Sequence, residues 1–187
     1  MAETKITAEA IEDNRLIIWS PREGSALFAE GFYGKPLGIS KPKEAEFDVP
    51  VILDLIEGVY LVEKGRLRVT AGADKRELSL EELRRVAKRV HDGFDLKYQV
   101  YRDLREKGYI VTPGIKYGCD FAVYEQGPGI DHAPYIVQVK RPDEELSASE
   151  IVKAGRLAAT VRKTFIMALV DADCESVVYL GFKWWRP

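Results

Sequence analysis

The chain has 187 residues, 46% apolar and 31% charged, with a formal net charge of -2 and a pI near 5.8. That length suits one domain or two small ones with ample core, and no run approaches the roughly 20 apolar residues of a membrane span. The opening MAETKITAEA lacks the basic-then-apolar layout of a secretory leader, so a cytoplasmic protein with no membrane partner is expected. Cys119 and Cys174 share no CxxC spacing, which argues against a zinc knuckle or a disulfide framework. A mildly acidic chain must meet nucleic acid through local basic patches and not through its overall field. One asparagine, Asn14, and three glutamines among so many charges fit a heat-adapted protein.

In chain order, NRLIIWS, ALFAEGF and GRLRVT read as short strands, and VPVILDLIEGVYLVEK carries helical periodicity. Between them YGKPLGISKPKEAEFD, rich in Gly, Pro and Lys, predicts an exposed loop. LSLEELRRVAKRVHDGF is a helix with Ser79 and Glu82 at capping-box spacing, broken by Asp92-Gly93, where a domain boundary is placed: 1–92, then 93–187. The second part opens with the helix FDLKYQVYRDLREKG, its stripe formed by Phe94, Tyr98, Tyr101 and Leu104. Strand signals follow in YIVT, IKYGCDFAVY and APYIVQVK. A second capping-box pair, Ser147 and Glu150, precedes the helix IVKAGRLAATVRK, then TFIMALV, an acidic turn DADCES, and VVYLGFKWW. The order αβββαββ predicts an α+β protein: a small mixed N-terminal domain and a C-terminal mixed sheet flanked by helices.

Three side chains fall at element edges, where a rigid scaffold presents groups to a substrate: Tyr124 ending a strand, His132 after a Gly-Pro-Gly turn, and Lys163 between a helix and a strand. Imidazole shuttles protons at neutral pH, a phenol takes one only from a lowered pKa or in a slow reaction, and an ammonium supplies fixed charge. Taken singly, each has a plain structural explanation in packing, solvation or helix-dipole complementation.

The words around them decide between these explanations. YRDLREKGYIVTPGIKYGCDFAVYEQGPGIDHAPYIVQV, followed by GRLAATVRKTFIMALVDAD, closely resembles the catalytic domain of the archaeal tRNA-splicing endonucleases (tRNA-intron lyases). The likeness covers most of residues 93 to 187. It implies a restriction-nuclease-like fold, no metal or other cofactor, and excision of introns from precursor tRNA at bulge-helix-bulge junctions, leaving 2′,3′-cyclic phosphate and 5′-hydroxyl ends. It also implies that Tyr124, His132 and Lys163 are the catalytic groups and that Arg156 and Trp184 clamp a bulged base between flat side chains. An acidic loop with Asp171, Asp173 and Glu175 would dock into a partner subunit. A chain of one repeat must oligomerise in this family, as a homotetramer or as a heterotetramer with a related structural chain. The Lys35, Lys41 and Lys43 loop resembles the insertion that touches RNA in the heterotetrameric branch and favours that assembly.

Two rival readings remain. A metal-dependent restriction-like nuclease would use Asp120 as a ligand and Lys140 as activating base, but Gln138 stands where a second carboxylate belongs. A non-catalytic structural or RNA-binding subunit would have no use for the three reactive side chains.

Overall fold

The structure is a computed structural model that describes residues 5–11, 14–40, 42, 44–160, 162–171, 173 and 176–182. The chain divides into two compact units, residues 1–94 and 95–187.

The first unit contains β1 (Ile6–Ile11), β2 (Arg15–Ile18), α1 (Pro21–Gly31), β3 (Lys35–Pro36), β4 (Val51–Leu53), α2 (Leu55–Glu63), β5 (Leu67–Ala71), β6 (Arg76–Glu77) and α3 (Leu80–Val90). Its sheet runs β3-β4-β2-β1-β5-β6, with only β1 and β5 parallel. The register places Ala8, Leu16, Ile18, Val51, Leu53, Leu67 and Val69 on one face, and all are buried. Alternation thus does here what it does in any half-buried sheet. The approach of α2 requires a glycine: a Cβ on Gly58 would lie 2.1 Å from the Leu16 side chain.

Two expectations fail in this unit. ALFAEGF is no strand, because residues 26–31 belong to α1, which Ser20 caps by accepting the Glu23 N–H and Pro21 starts. Phe32, at φ 55°, then ends the helix in the left-handed region. VPVILDLIEGVYLVEK is not one helix, since it holds β4 and then α2, divided by Asp54. The Asp54 carboxylate accepts from Ile56 N–H at 2.8 Å while Glu57 reaches back to Asp54 N–H at 3.1 Å, a full capping box inside an apolar run.

The second unit follows the expected order: α4 (Phe94–Glu106), β7 (Ile110–Pro113), a short 3-10 turn (Ile115–Tyr117), β8 (Phe121–Tyr124), β9 (Tyr135–Lys140), α5 (Ala148–Thr160), β10 (Thr164–Val170) and β11 (Val177–Phe182). IKYGCDFAVY is shorter as a strand than expected. Gly118, at φ +65°, closes the 3-10 turn, and pairing starts only at Phe121. The sheet order is β11-β10-β9-β8-β7, with β9 and β10 parallel and joined over the sheet by α5. On one face, Tyr101 of α4 meets Phe121 at 6.1 Å between ring centroids, and Tyr179 donates to Asp103 at 2.6 Å. On the other, α5 buries Ala158 against Ile136, Phe165 and Met167. The result is the mixed sheet flanked by helices that the element order predicts. Ser147 caps α5 as its spacing with Glu150 requires, with reciprocal bonds of 3.2 and 2.9 Å.

Candidate active site

The pairing of β7 to β10 brings four strand ends together at one edge of the sheet. Tyr124 ends β8 opposite Ile110 at the start of β7, Val123 pairs with Tyr135 at the start of β9, and Tyr135 pairs with Thr164 at the start of β10. Tyr124 shares a face with Ala122, and Ala122 pairs with Ile136, so its side chain is on the α5 side. The phenol is half-buried near Thr112, whose hydroxyl donates to Ala122 C=O at 3.3 Å. Burial, and then Tyr117 and Asp131, push the Tyr124 pKa above the ordinary tyrosine value. A base needs the opposite shift in the free enzyme.

Lys163 reaches the same edge from the end of α5. Arg162 takes the left-handed conformation at φ 54°. Arg162 N–H then bonds Ala159 C=O at 3.3 Å and Lys163 N–H bonds Ala158 C=O at 2.8 Å, the paired bonds of a Schellman turn. The next residue, Thr164, enters the sheet by donating to Pro134 C=O at 2.8 Å. The Lys163 ammonium donates to the carbonyl of Ala133, the neighbour of His132, and lies 5.1 Å from the Tyr117 ring centroid. A cation is thereby anchored to the histidine-bearing loop.

His132 is exposed at the end of the β8–β9 loop. The loop itself is firmly built. Asp131 accepts N–H bonds from Glu125 at 3.3 Å, Gln126 at 3.2 Å and Gly127 at 2.9 Å. Gly127 and Gly129 lie at φ 128° and 95°, conformations that L side chains rarely adopt. The Gly-Pro-Gly turn is thus folded around a carboxylate. Asp131 and Tyr117 are the residues that sequence reading overlooked. The signals were a carboxylate closing a glycine-rich loop and an aromatic in the KYG word.

The other expected positions are less concentrated. Arg156 is exposed on α5, and because α5 ends at Thr160, its seven-residue spacing from Lys163 does not place the two along one helix face. Lys35 is exposed on β3 in the first unit, paired with Ile52. Asp171 and Asp173 are exposed in the β10–β11 turn, where Ser176 donates to Asp171. Lys41, Lys43, Glu175 and Trp184 lie outside the described residues.

The rival metal constellation is committed elsewhere. Asp120 pairs with Lys97 at 3.0 Å and accepts from the Gln138 amide at 2.7 Å and Val139 N–H at 2.8 Å. Its carboxylate is thus used to join α4, β8 and β9. Lys140 bonds Glu144, which raises its pKa and keeps it protonated, the wrong state for an activating base. Among the described residues no three His, Cys, Asp or Glu side chains are grouped to hold a metal. A cavity of about 460 Å³ lies beneath α5, lined by Tyr117, Cys119, Leu157, Phe165 and Met167 among others. Burial, and then Asp120, push the Cys119 thiol up to about 11, so it is a packing group and not a nucleophile. Among the described residues, no helix is long and apolar enough to cross a membrane.

Comparison with known proteins matches both units. The family described as "tRNA intron endonuclease, catalytic C-terminal domain" matches residues 94–179, and "tRNA intron endonuclease, N-terminal domain" matches residues 8–84. The chain is 50% identical over 173 residues to a "tRNA-splicing endonuclease" of Hyperthermus butylicus, covering 92% of this chain and 95% of that one. It is 44% identical to proteins of the same name from Saccharolobus islandicus, over 91% and 94% of the two chains, and Sulfurisphaera tokodaii, over 98% and 96%. With both domains matched in order and the catalytic-domain match spanning the sheet edge just described, the chain belongs to the tRNA intron endonuclease family.

Proposed function

We propose that the protein is a tRNA-intron lyase, an endoribonuclease that excises introns from precursor tRNA at bulge-helix-bulge junctions without a metal. The attacking group is the RNA's own 2′-hydroxyl. The protein then has to supply only a base, an acid and stabilisation of charge. The bond from the 2′-oxygen to phosphorus forms as the bond from phosphorus to the 5′-oxygen breaks, which yields the cyclic phosphate and a 5′-hydroxyl. Tyr124 takes the 2′-proton, His132 gives one to the leaving oxygen, and Lys163 stabilises the charge on the pentacovalent phosphate. The observation that carries this reading is the Lys163 ammonium tied to the Ala133 carbonyl, which puts fixed positive charge beside the loop that bears His132.

In this reading Arg156 and Trp184 stack on a bulged base, and Lys35, Lys41 and Lys43 contact the RNA. Asp171, Asp173 and Glu175 dock into a partner, a related structural chain in a heterotetramer or another copy of this one. The domain boundary falls at the Asp92-Gly93 turn, and the enzyme works in the cytoplasm.

The test is cleavage of an end-labelled bulge-helix-bulge RNA in EDTA by the purified chain, alone and after mixing with a structural subunit. Cyclic-phosphate and 5′-hydroxyl ends are expected, with the rate reduced about 10²- to 10³-fold by Lys163→Ala. Activity that appears only on adding Mg²⁺, with 5′-phosphate ends, would overturn the assignment.

A further inference from the structure

The β8–β9 loop separates the two groups assigned to proton transfer, and one side chain decides its shape. Tyr124 is the last residue of β8, and the following three residues, Glu125, Gln126 and Gly127, all direct their N–H groups to the Asp131 carboxylate, at 3.3, 3.2 and 2.9 Å. The backbone closes the same ring from the other direction. Ile130 N–H and Asp131 N–H both donate to Gly127 C=O, at 3.1 and 3.0 Å, and Pro128 bridges to Asp131. The residue after Asp131 is His132. Past it the chain is fixed again, with Ala133 accepting from Lys163 and Pro134 accepting from Thr164.

We infer that Asp131 is a positioning residue for the cleavage reaction, its carboxylate holding the loop so that the Tyr124 phenol and the His132 imidazole stand at a fixed separation on the two sides of the scissile phosphate. This rests on the proposed roles of Tyr124 and His132. The physical reason is that an exposed loop with Gly127 and Gly129 in left-handed or extended positive-φ conformations has many alternative shapes. Three charge-assisted bonds to one carboxylate select a single shape among them. The acid and base of an in-line displacement are useful only within a narrow geometry, and a shift of about 1 Å can cost about 10²-fold in rate. Glu125 is held at the side of the same loop, where its carboxylate accepts from the Tyr135 hydroxyl at 3.1 Å. That bond is additional to the Asp131 ring and does not span the distance from Tyr124 to His132.

The experiment compares Asp131→Ala and Asp131→Asn in the assembled enzyme, by single-turnover cleavage of the same RNA, with RNA affinity measured separately. Asp131→Ala should lower the cleavage rate about 10²-fold and leave affinity within about threefold. Asp131→Asn keeps one acceptor oxygen in the same place and should recover about a tenth to a third of the lost rate even if the alanine variant is poorly folded. The discriminating readout is coupling: in a His132→Ala background, Asp131→Ala should cost less than about threefold more, because a positioning residue acts through the group it places. A full multiplicative loss in that background, or wild-type rates for both Asp131 variants, would overturn the inference. Should Tyr124→Phe and His132→Ala themselves cleave at the wild-type rate, the catalytic assignment falls first, an outcome plainly different from the other two.

Discussion

Lys163 is held by a carbonyl on one side and an aromatic face on the other, and the two contacts do different work. The carbonyl of Ala133 fixes distance from the histidine loop, while the Tyr117 ring keeps the aliphatic stem and ammonium from swinging into solvent. Tyr117→Phe retains the ring face and should keep most of the cleavage rate, whereas Tyr117→Ala should lose about tenfold, for a cation–π contact of about 1 kcal/mol or somewhat more. Single-turnover rates on the two variants check this, with circular dichroism to confirm the fold. Tyr124 makes a prediction of the opposite kind. Its pKa is raised, by burial first, so phenolate is scarce at neutral pH and the base form keeps increasing above the usual tyrosine range. In a His132→Ala background, site-specific cleavage should rise about tenfold per pH unit through neutrality and level only above about pH 10. The slope should vanish in the His132→Ala, Tyr124→Phe double variant; a plateau near pH 8 would contradict the raised value.

At the scale of elements, the helix caps decide where chemistry is placed. α5 ends at Thr160 because Arg162 turns left-handed, and only that turn delivers Lys163 to the sheet edge. Arginine tolerates φ near 54° poorly, so Arg162→Gly should stabilise the protein by about 0.5–1 kcal/mol in denaturant unfolding, provided the arginine side chain contributes no stability of its own. The caps also mark what was legible beforehand. Ser79–Glu82 and Ser147–Glu150 are legible because each precedes a periodic run with no competing signal. The same chemistry at Asp54–Glu57 was lost inside VPVILDLIEG, where a buried strand and a buried helix make one unbroken apolar word. ALFAEGF misled by its bulky apolar residues, although Ser20-Pro21 ahead of it is a helix start. At the proposed site, Tyr124, His132 and Lys163 are singled out by the family resemblance of the words that surround them. Asp131 is not, since its role lies in bonds to three backbone groups that no residue pattern spells out.

For the molecule as a whole, the catalytic unit carries an exposed edge. Val178 and Leu180 on β11 are 54% and 43% exposed, and among the described residues β11 is the last strand of its sheet. Apolar side chains beside an open edge promote pairing with another chain, and lysine there opposes it. In the proposed oligomer, Leu180→Lys should therefore lower the mass seen by light scattering and reduce cleavage in parallel, while the isolated chain stays folded; an unchanged mass would overturn a role for this edge in assembly.

The parallel pairing of β9 with β10 has a consequence for how activity is born. Tyr124 and His132 are eight residues apart in a hairpin, a local structure that forms in microseconds. Lys163 joins them only after the chain has crossed back over the sheet as α5, a non-local step whose loop must close before any contact rewards it. On dilution from denaturant, the histidine loop should gain its shape early while cleavage waits for the crossover. Recovery of activity should then begin no earlier than the slowest refolding phase of the second unit, and in the proposed oligomer it waits further on subunit assembly, so the power to cut RNA comes last.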